Sequence, residues 1–265
     1  MNSWHRVRIR DIAVTYDGPH ATPRSTKTAT SGPVFLGISS LQDGRLDLAQ
    51  SAHLSEDDVA QWTRRVTPQP GDVVFSYETR LGQAAMIPAD LRCSLGRRLA
   101  LMRPDRTKVD PRFLLYAYLG PRFQEEVRKR TIHGSTVNRT SLGDSPDFPI
   151  DLPSLPEQQG IAVTLGALDC KVELNRRTIK LARRATGTSG SHQRLRPRDA
   201  MSIEVPDVRR LPEPVVAEAQ VLLLLTHQKK VESQRLADLR DALLPKLMSG
   251  RIRVPEAREA VEAAV

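Results

Sequence analysis

A chain of 265 residues with 39% hydrophobic content can bury a sizeable core, as one large domain or as a domain plus an appendage. Forty Lys and Arg against thirty-one Asp and Glu give a net charge of +9, the electrostatic footprint expected of a nucleic-acid binder. No apolar run approaches the roughly 20 residues a membrane-spanning helix needs; the longest aliphatic one, from Val221 to Leu225, has five.

The N-terminus from Met1 to Arg6 passes into an alternating pattern with no signal-type apolar core, so the cytoplasm is the expected compartment. Two cysteines, Cys93 and Cys170, give no disulfide framework. The six histidines show no zinc-type spacing, and all eight residues read as ordinary packed or surface side chains.

In chain order, Arg6 to Arg10 alternates like a strand with one wet face, and residues 17–33 read as a polar, basic loop. Val34 to Ile38 is a short buried strand. Ser55 with Glu56, Asp57 and Asp58 marks a helix start. Pro70-Gly71-Asp72 turns the chain into the strand Val73–Ser76, and Leu95 to Met102 gives another. Pro111 to Arg130 is the clearest helix of this half: Phe113, Leu114, Ala117, Tyr118, Phe123 and Val127 share one face.

From Pro156 the texture changes. Ile161, Leu165, Leu168, Val172, Asn175, Ile179 and Ala182 step by four and three, a heptad seam for a helix packed lengthwise on a partner. Asn175 inside it serves register and partner choice more than stability. Gly187 to Gly190 breaks the helix, and a proline-rich stretch from Pro197 to Pro214 follows. A second long helix, about 215–248, carries a less regular seam of Leu222, Leu225, Leu236, Leu239 and Leu243. Ile150-Asp151-Leu152-Pro153 before the first helix is echoed by Ile203-Glu204-Val205-Pro206 before the second. The predicted fold is α+β: a mixed α/β head, residues 1–153, then two long antiparallel helices in a coiled-coil-like hairpin. The first helix takes 154–190, the linker 191–214 and the second helix 215–250, with a frayed tail over 251–265.

Four motifs in this order resemble the specificity subunits of type I restriction–modification systems. They are Gly71-Asp72-Val73-Val74-Phe75-Ser76, His133-Gly134-Ser135-Thr136, Ile150 to Gln159 with Ile161, and Leu239 to Gly250. The resemblance spans nearly the whole chain, from Trp4 to Gly250. It implies a non-catalytic subunit whose target-recognition domain reads double-stranded DNA and whose helices dock methyltransferase subunits. S-adenosylmethionine is then expected on the methyltransferase partner, no cofactor in this chain, and a restriction subunit as a further partner in phage defence. A full-length member alternates recognition domain, helix, recognition domain, helix. Between Arg184 and Val215 this chain has no room for the second domain. It looks like a half-subunit that pairs with a second copy, works beside another specificity subunit, or is a remnant.

Two loops are candidate DNA contacts. The first holds Thr22, Arg24, Ser25 and Lys27; the second holds Gly134, Ser135, Thr136, Asn138 and Arg139. Small hydroxyl and amide side chains on such loops can approach phosphates and base edges. Tyr77 and Arg80, just after a strand, are further candidates, with half-buried packing an equal reading for Tyr77. A helix near 40 Å long could hold two recognition domains about one 34 Å turn of DNA apart.

Two rival readings are an enzyme and an adaptor. An enzyme lacks support: there is no glycine-rich cofactor loop, no Asn/Asp-Pro-Pro-aromatic motif, and Asp169 and Glu173 lack a nuclease's lysine spacing. A coiled-coil adaptor whose globular half binds protein rather than DNA stays open.

Overall fold

The computed structural model describes residues 4–24, 31–49, 51–134, 137–185 and 213–265. The chain divides into two units: Met1–Thr164 with Leu244–Pro255, and Leu165–Leu243 with Glu256–Val265.

The first unit opens with β1 (His5–Arg8), a helical turn α1 (Ile9–Ile12) and β2 (Ala13–Asp17). The strand predicted from Arg6 to Arg10 therefore stops early. Asp11 accepts from the Arg8 N–H at 2.8 Å, and the helical turn lets Ile9 and Ile12 face inward together, three apart. Then come β3 (Val34–Leu36), β4 (Leu41–Gln42), β5 (Arg45–Leu46), β6 (Ala52–His53) and α2 (Glu56–Trp62). Ser55 is the N-cap residue of α2, as expected, but its side chain makes no capping bond; the three acids of the first turn favour that end instead.

Next are β7 (Val73–Ser76), β8 (Ala84–Met86), β9 (Cys93–Leu95) and β10 (Leu99–Pro104). The sequence predicts one strand over Leu95–Met102, yet a turn at residues 96–98 divides it. β9 pairs in parallel with β3 in the three-stranded sheet β6-β3-β9, whereas β10 lies between β2 and β7 in the antiparallel sheet β2-β10-β7-β8. One straight strand could not serve both sheets. Val34, Leu36, Val74, Ile87, Leu95 and Leu101 form the core between them.

The helix predicted over Pro111–Arg130 is two: α3 (Pro111–Leu119) and α4 (Pro121–Lys129). Pro121 disfavours helical backbone at Gly120, which is extended (φ −65°, ψ 150°), and itself suits the first position of a new helix. Asp110 caps α3 by accepting from the Arg112 and Phe113 N–H groups, both at 2.9 Å. Phe75, Tyr118, Phe123 and Phe148 stack in sequence, with centroids 5.6, 4.7 and 6.1 Å apart. β11 (Thr131–Ile132) and β12 (Arg139–Thr140) form a small hairpin, and β13 (Pro149–Leu152) pairs antiparallel with β1.

α5 (Leu155–Ala185) starts in this unit and is clipped to it by Gln158. That side chain, 1% exposed, donates to the carbonyls of Pro153 (2.9 Å) and Lys108 (3.2 Å) and accepts from the Asp110 N–H (2.9 Å). Ile161 is buried here too.

The second unit is the helix pair. α6 (Glu213–Met248) supplies the other strand of the rod, and α7 (Val254–Glu262) follows. Leu165, Leu168, Val172, Asn175 and Ala182 of α5 are buried, as are Leu236 and Leu243 of α6; Ile179, Leu222, Leu225 and Leu239 are half-buried. Ion pairs join Asp169 to Arg240 (2.9 Å) and Lys171 to Glu232 (3.7 Å). Numbers rise along α5 as they fall along α6, so the helices run antiparallel, in line with the predicted hairpin. The tail expected to fray is helical instead. Ala257 and Val261, four apart on one face, are buried, and Lys171 donates to the carbonyl of Val265 at 3.4 Å. The glycine break and most of the proline-rich linker lie outside the described residues. No helix among the described residues is long and apolar enough to cross a membrane.

Candidate nucleic-acid interface

The motif Gly71-Asp72 is architectural. Asp72, 2% exposed, takes both prongs of the Arg103 guanidinium, Nε at 3.0 Å and Nη2 at 2.8 Å, and accepts from the Gln69 N–H at 2.8 Å. The guanidinium also sits 5.2 Å from the Tyr16 ring centroid. Asp72 thereby ties the entry to β7 to the middle strand β10. The strand then delivers its far end, Tyr77 to Arg80, to the surface.

At that end three backbone segments are knitted together. The Tyr77 N–H donates to the carbonyl of Arg98 (3.3 Å), the Thr79 N–H to that of Asn138 (3.0 Å), and the Thr140 N–H to that of Tyr77 (2.9 Å). Glu78 and Arg139 form an antiparallel bridge. The turn after β7, the turn before β10 and the loop before β12 therefore share one surface.

Side chains tie in a fourth segment. The Tyr77 hydroxyl donates to Asp17 at 3.3 Å, and Asp17 also holds Arg65 (2.8 Å) and His20 (2.6 Å). Arg65 reaches the Gly18 carbonyl as well, at 3.3 Å. Partial burial first, then the charge of Asp17 and the hydrogen bond to it, push the Tyr77 phenol up to about 12, so it stays a donor. The root of the loop carrying Thr22 and Arg24 is thus pinned to Tyr77.

Of the residues singled out from sequence, Thr22, Arg24, Gly134, Asn138 and Arg139 are exposed, while Tyr77 and Arg80 are half-buried. The structure brings the Tyr77–Arg80 turn directly against Asn138 and Arg139, and joins the Thr22 loop through Asp17 at its root. Ser25, Lys27, Ser135 and Thr136 lie outside the described residues. Gly134 closes its loop tightly: a Cβ there would lie 2.5 Å from the Val137 carbonyl oxygen. His133 Nδ1 stands 3.3 Å from the Asn138 side-chain oxygen.

Sequence reasoning missed Asp17, Glu78, Thr79 and Arg98, which assemble this surface. The signal was weak: a turn-forming Gly96 followed by Arg97 and Arg98 inside an apolar run. The surface suits contact with an anionic, hydrogen-bonding polymer, with exposed guanidinium, amide and hydroxyl groups on four adjoining segments. No group of three His, Cys, Asp or Glu among the described residues could hold a metal ion. Burial, followed by the charge of Asp72, pushes the Cys93 thiol up to about 12, so it is a packed side chain rather than a nucleophile.

The family model for the type I restriction modification DNA specificity domain matches residues 1–182. The type I restriction enzyme MjaX specificity subunit of Methanocaldococcus jannaschii is 27% identical over 179 residues, 63% of this chain and 39% of its own. The chain therefore spans well under half the length of that curated relative. Among solved structures, the type I restriction–modification S subunit from M. genitalium aligns over 70% of this chain and 44% of its own, at 16% identity and a TM-score of 0.54. The HsdS subunit from Thermoanaerobacter tengcongensis aligns over 77% of this chain and 52% of its own, at 19% identity and a TM-score of 0.46. The M. genitalium alignment shows the shared fold. Since the family match takes in the whole head and most of α5, this chain belongs to the type I restriction modification DNA specificity domain family.

Proposed function

We propose that this chain is a non-catalytic, DNA-reading specificity subunit of a type I restriction–modification complex, working in the cytoplasm. Its head reads one half-site in double-stranded DNA, and its antiparallel helices dock methyltransferase subunits, which carry S-adenosylmethionine. A restriction subunit joins where the complex cleaves. The single observation that carries this reading is the gathering of four loop segments, three of them anticipated as DNA contacts, on one face of a head that matches the family. The net charge of +9 supports it. A two-part site would take its other half from a second such head.

The test is a titration of duplex DNA by the full chain, isolated with its co-purifying subunits, across a salt series. The logarithm of the binding constant is expected to fall linearly with log salt, at about 0.9 per phosphate neutralised. Methyltransferase subunits are expected to co-purify. A flat salt response, or no duplex binding at all, would instead favour an adaptor whose head binds protein.

A further inference from the structure

Resting on that DNA-reading function, we infer that the corner Gly96-Arg97-Arg98 is a further part of the DNA-contacting surface, with Arg97 as a contact residue and Arg98 as the residue that positions the adjoining turn. The corner is built to a fixed shape. A Cβ on Gly96 would lie 2.2 Å from the Leu36 carbonyl oxygen, so the main chain passes there as closely as only glycine allows. Two residues on, Arg98 sits in the left-handed region at φ 72°, and across the gap Thr79 does the same, also at φ 72°. For a β-branched residue such as threonine this is a strained conformation, kept only where the surroundings over-determine it.

Arg98 supplies those surroundings. Its Nε lies 3.1 Å from Glu78 Oε1, its Nη1 donates to Thr79 Oγ1 at 3.3 Å, and its carbonyl takes the Tyr77 N–H at 3.3 Å. One side chain and one carbonyl thus hold three consecutive residues of the opposite turn. That turn in turn holds the main chain of Asn138. Glu78 neutralises the Arg98 guanidinium, which suits a bracket rather than a contact. Arg97, its neighbour, is exposed. With Arg80 and Arg139 on the adjoining segments, it adds a cation to a surface whose fixed backbone sets where those cations stand.

The test compares Arg97→Ala, Arg98→Lys and wild type, each as the full chain with its co-purifying subunits. The probes are a duplex recovered by selection from a random pool and an unselected duplex. Arg97→Ala is expected to weaken both duplexes alike and to lower the salt slope by about 0.9, one phosphate contact. Arg98→Lys keeps the charge but loses the fork. Its thermal midpoint and salt slope are expected to stay near wild type, while its preference for the selected duplex over the unselected one falls. An Arg97→Ala protein with wild-type affinity and slope, or an Arg98→Lys protein with undiminished preference, would overturn the inference alone. A wild-type preparation that binds neither duplex would overturn the DNA-reading function and the inference with it.

Discussion

The Asp72 carboxylate and the Arg103 guanidinium meet side-on through two hydrogen bonds, with the acid 2% exposed and the base 27% exposed. This pair fastens β7 to β10, the two strands whose far ends carry the candidate interface. Removing one partner strands a buried charge, which costs more than the pair contributes. Arg103→Ala is expected to lose about 3–5 kcal/mol of stability, read from the denaturant midpoint. Arg103→Lys should recover part of the loss, since it restores the charge but not the fork.

Gln158 satisfies three backbone groups at the start of α5. Gln158→Ala leaves two carbonyls and one N–H without their partner, and each buried unsatisfied group costs about 1–3 kcal/mol. Gln158→Glu is expected to be worse, because its carboxylate faces the carbonyls of Lys108 and Pro153 where an amide N–H₂ now donates. Chemical denaturation of the two variants beside wild type provides the ranking; equal midpoints for all three would contradict it.

In the helix pair Asn175 is 1% exposed beside the Glu232 carboxylate. Replacing it with leucine makes the seam uniformly apolar, so the thermal midpoint is expected to rise while register is lost. Sedimentation should then resolve a mixture of association states in place of a single species.

Glu232 also sets a pH dependence. Its hydrogen bond to Lys229 acts first, against partial desolvation; Asn175, then the charges of Lys229 and Lys171, add to it, and together they hold the carboxyl below its usual range. A depressed carboxyl stabilises the fold above its unfolded value, near 4.3 for glutamate, and that contribution disappears as pH falls through the folded value. The midpoint difference between wild type and Glu232→Gln should therefore be full at neutral pH and close in acid. A gap that widens in acid would contradict the sign.

On the same helix Val221, Leu223 and Leu224 are 63%, 59% and 70% exposed. If this exposed stretch docks a methyltransferase subunit, Leu223→Ser with Leu224→Ser should abolish co-purification while leaving circular dichroism and duplex binding by the head intact. Retained co-purification would place the docking surface elsewhere on the rod.

Much of this architecture could be read from residue spacing alone. The four-and-three stepping from Ile161 to Ala182 fixes one face of α5 whatever surrounds it, because helical geometry is local. The Asp72 turn and the buried face of α3 and α4 were legible for the same reason. Local pattern could not say that the apolar run at Leu95–Met102 serves two sheets, that Gly120-Pro121 divides a helix, or that the tail folds on Ala257 and Val261. Those outcomes depend on partners far away in sequence. The candidate interface is the extreme case: Asp17, Glu78, Arg98 and Asn138 carry no shared motif, and only the pairing of β2, β10 and β7, with the bridge from Glu78 to Arg139, brings them onto one surface.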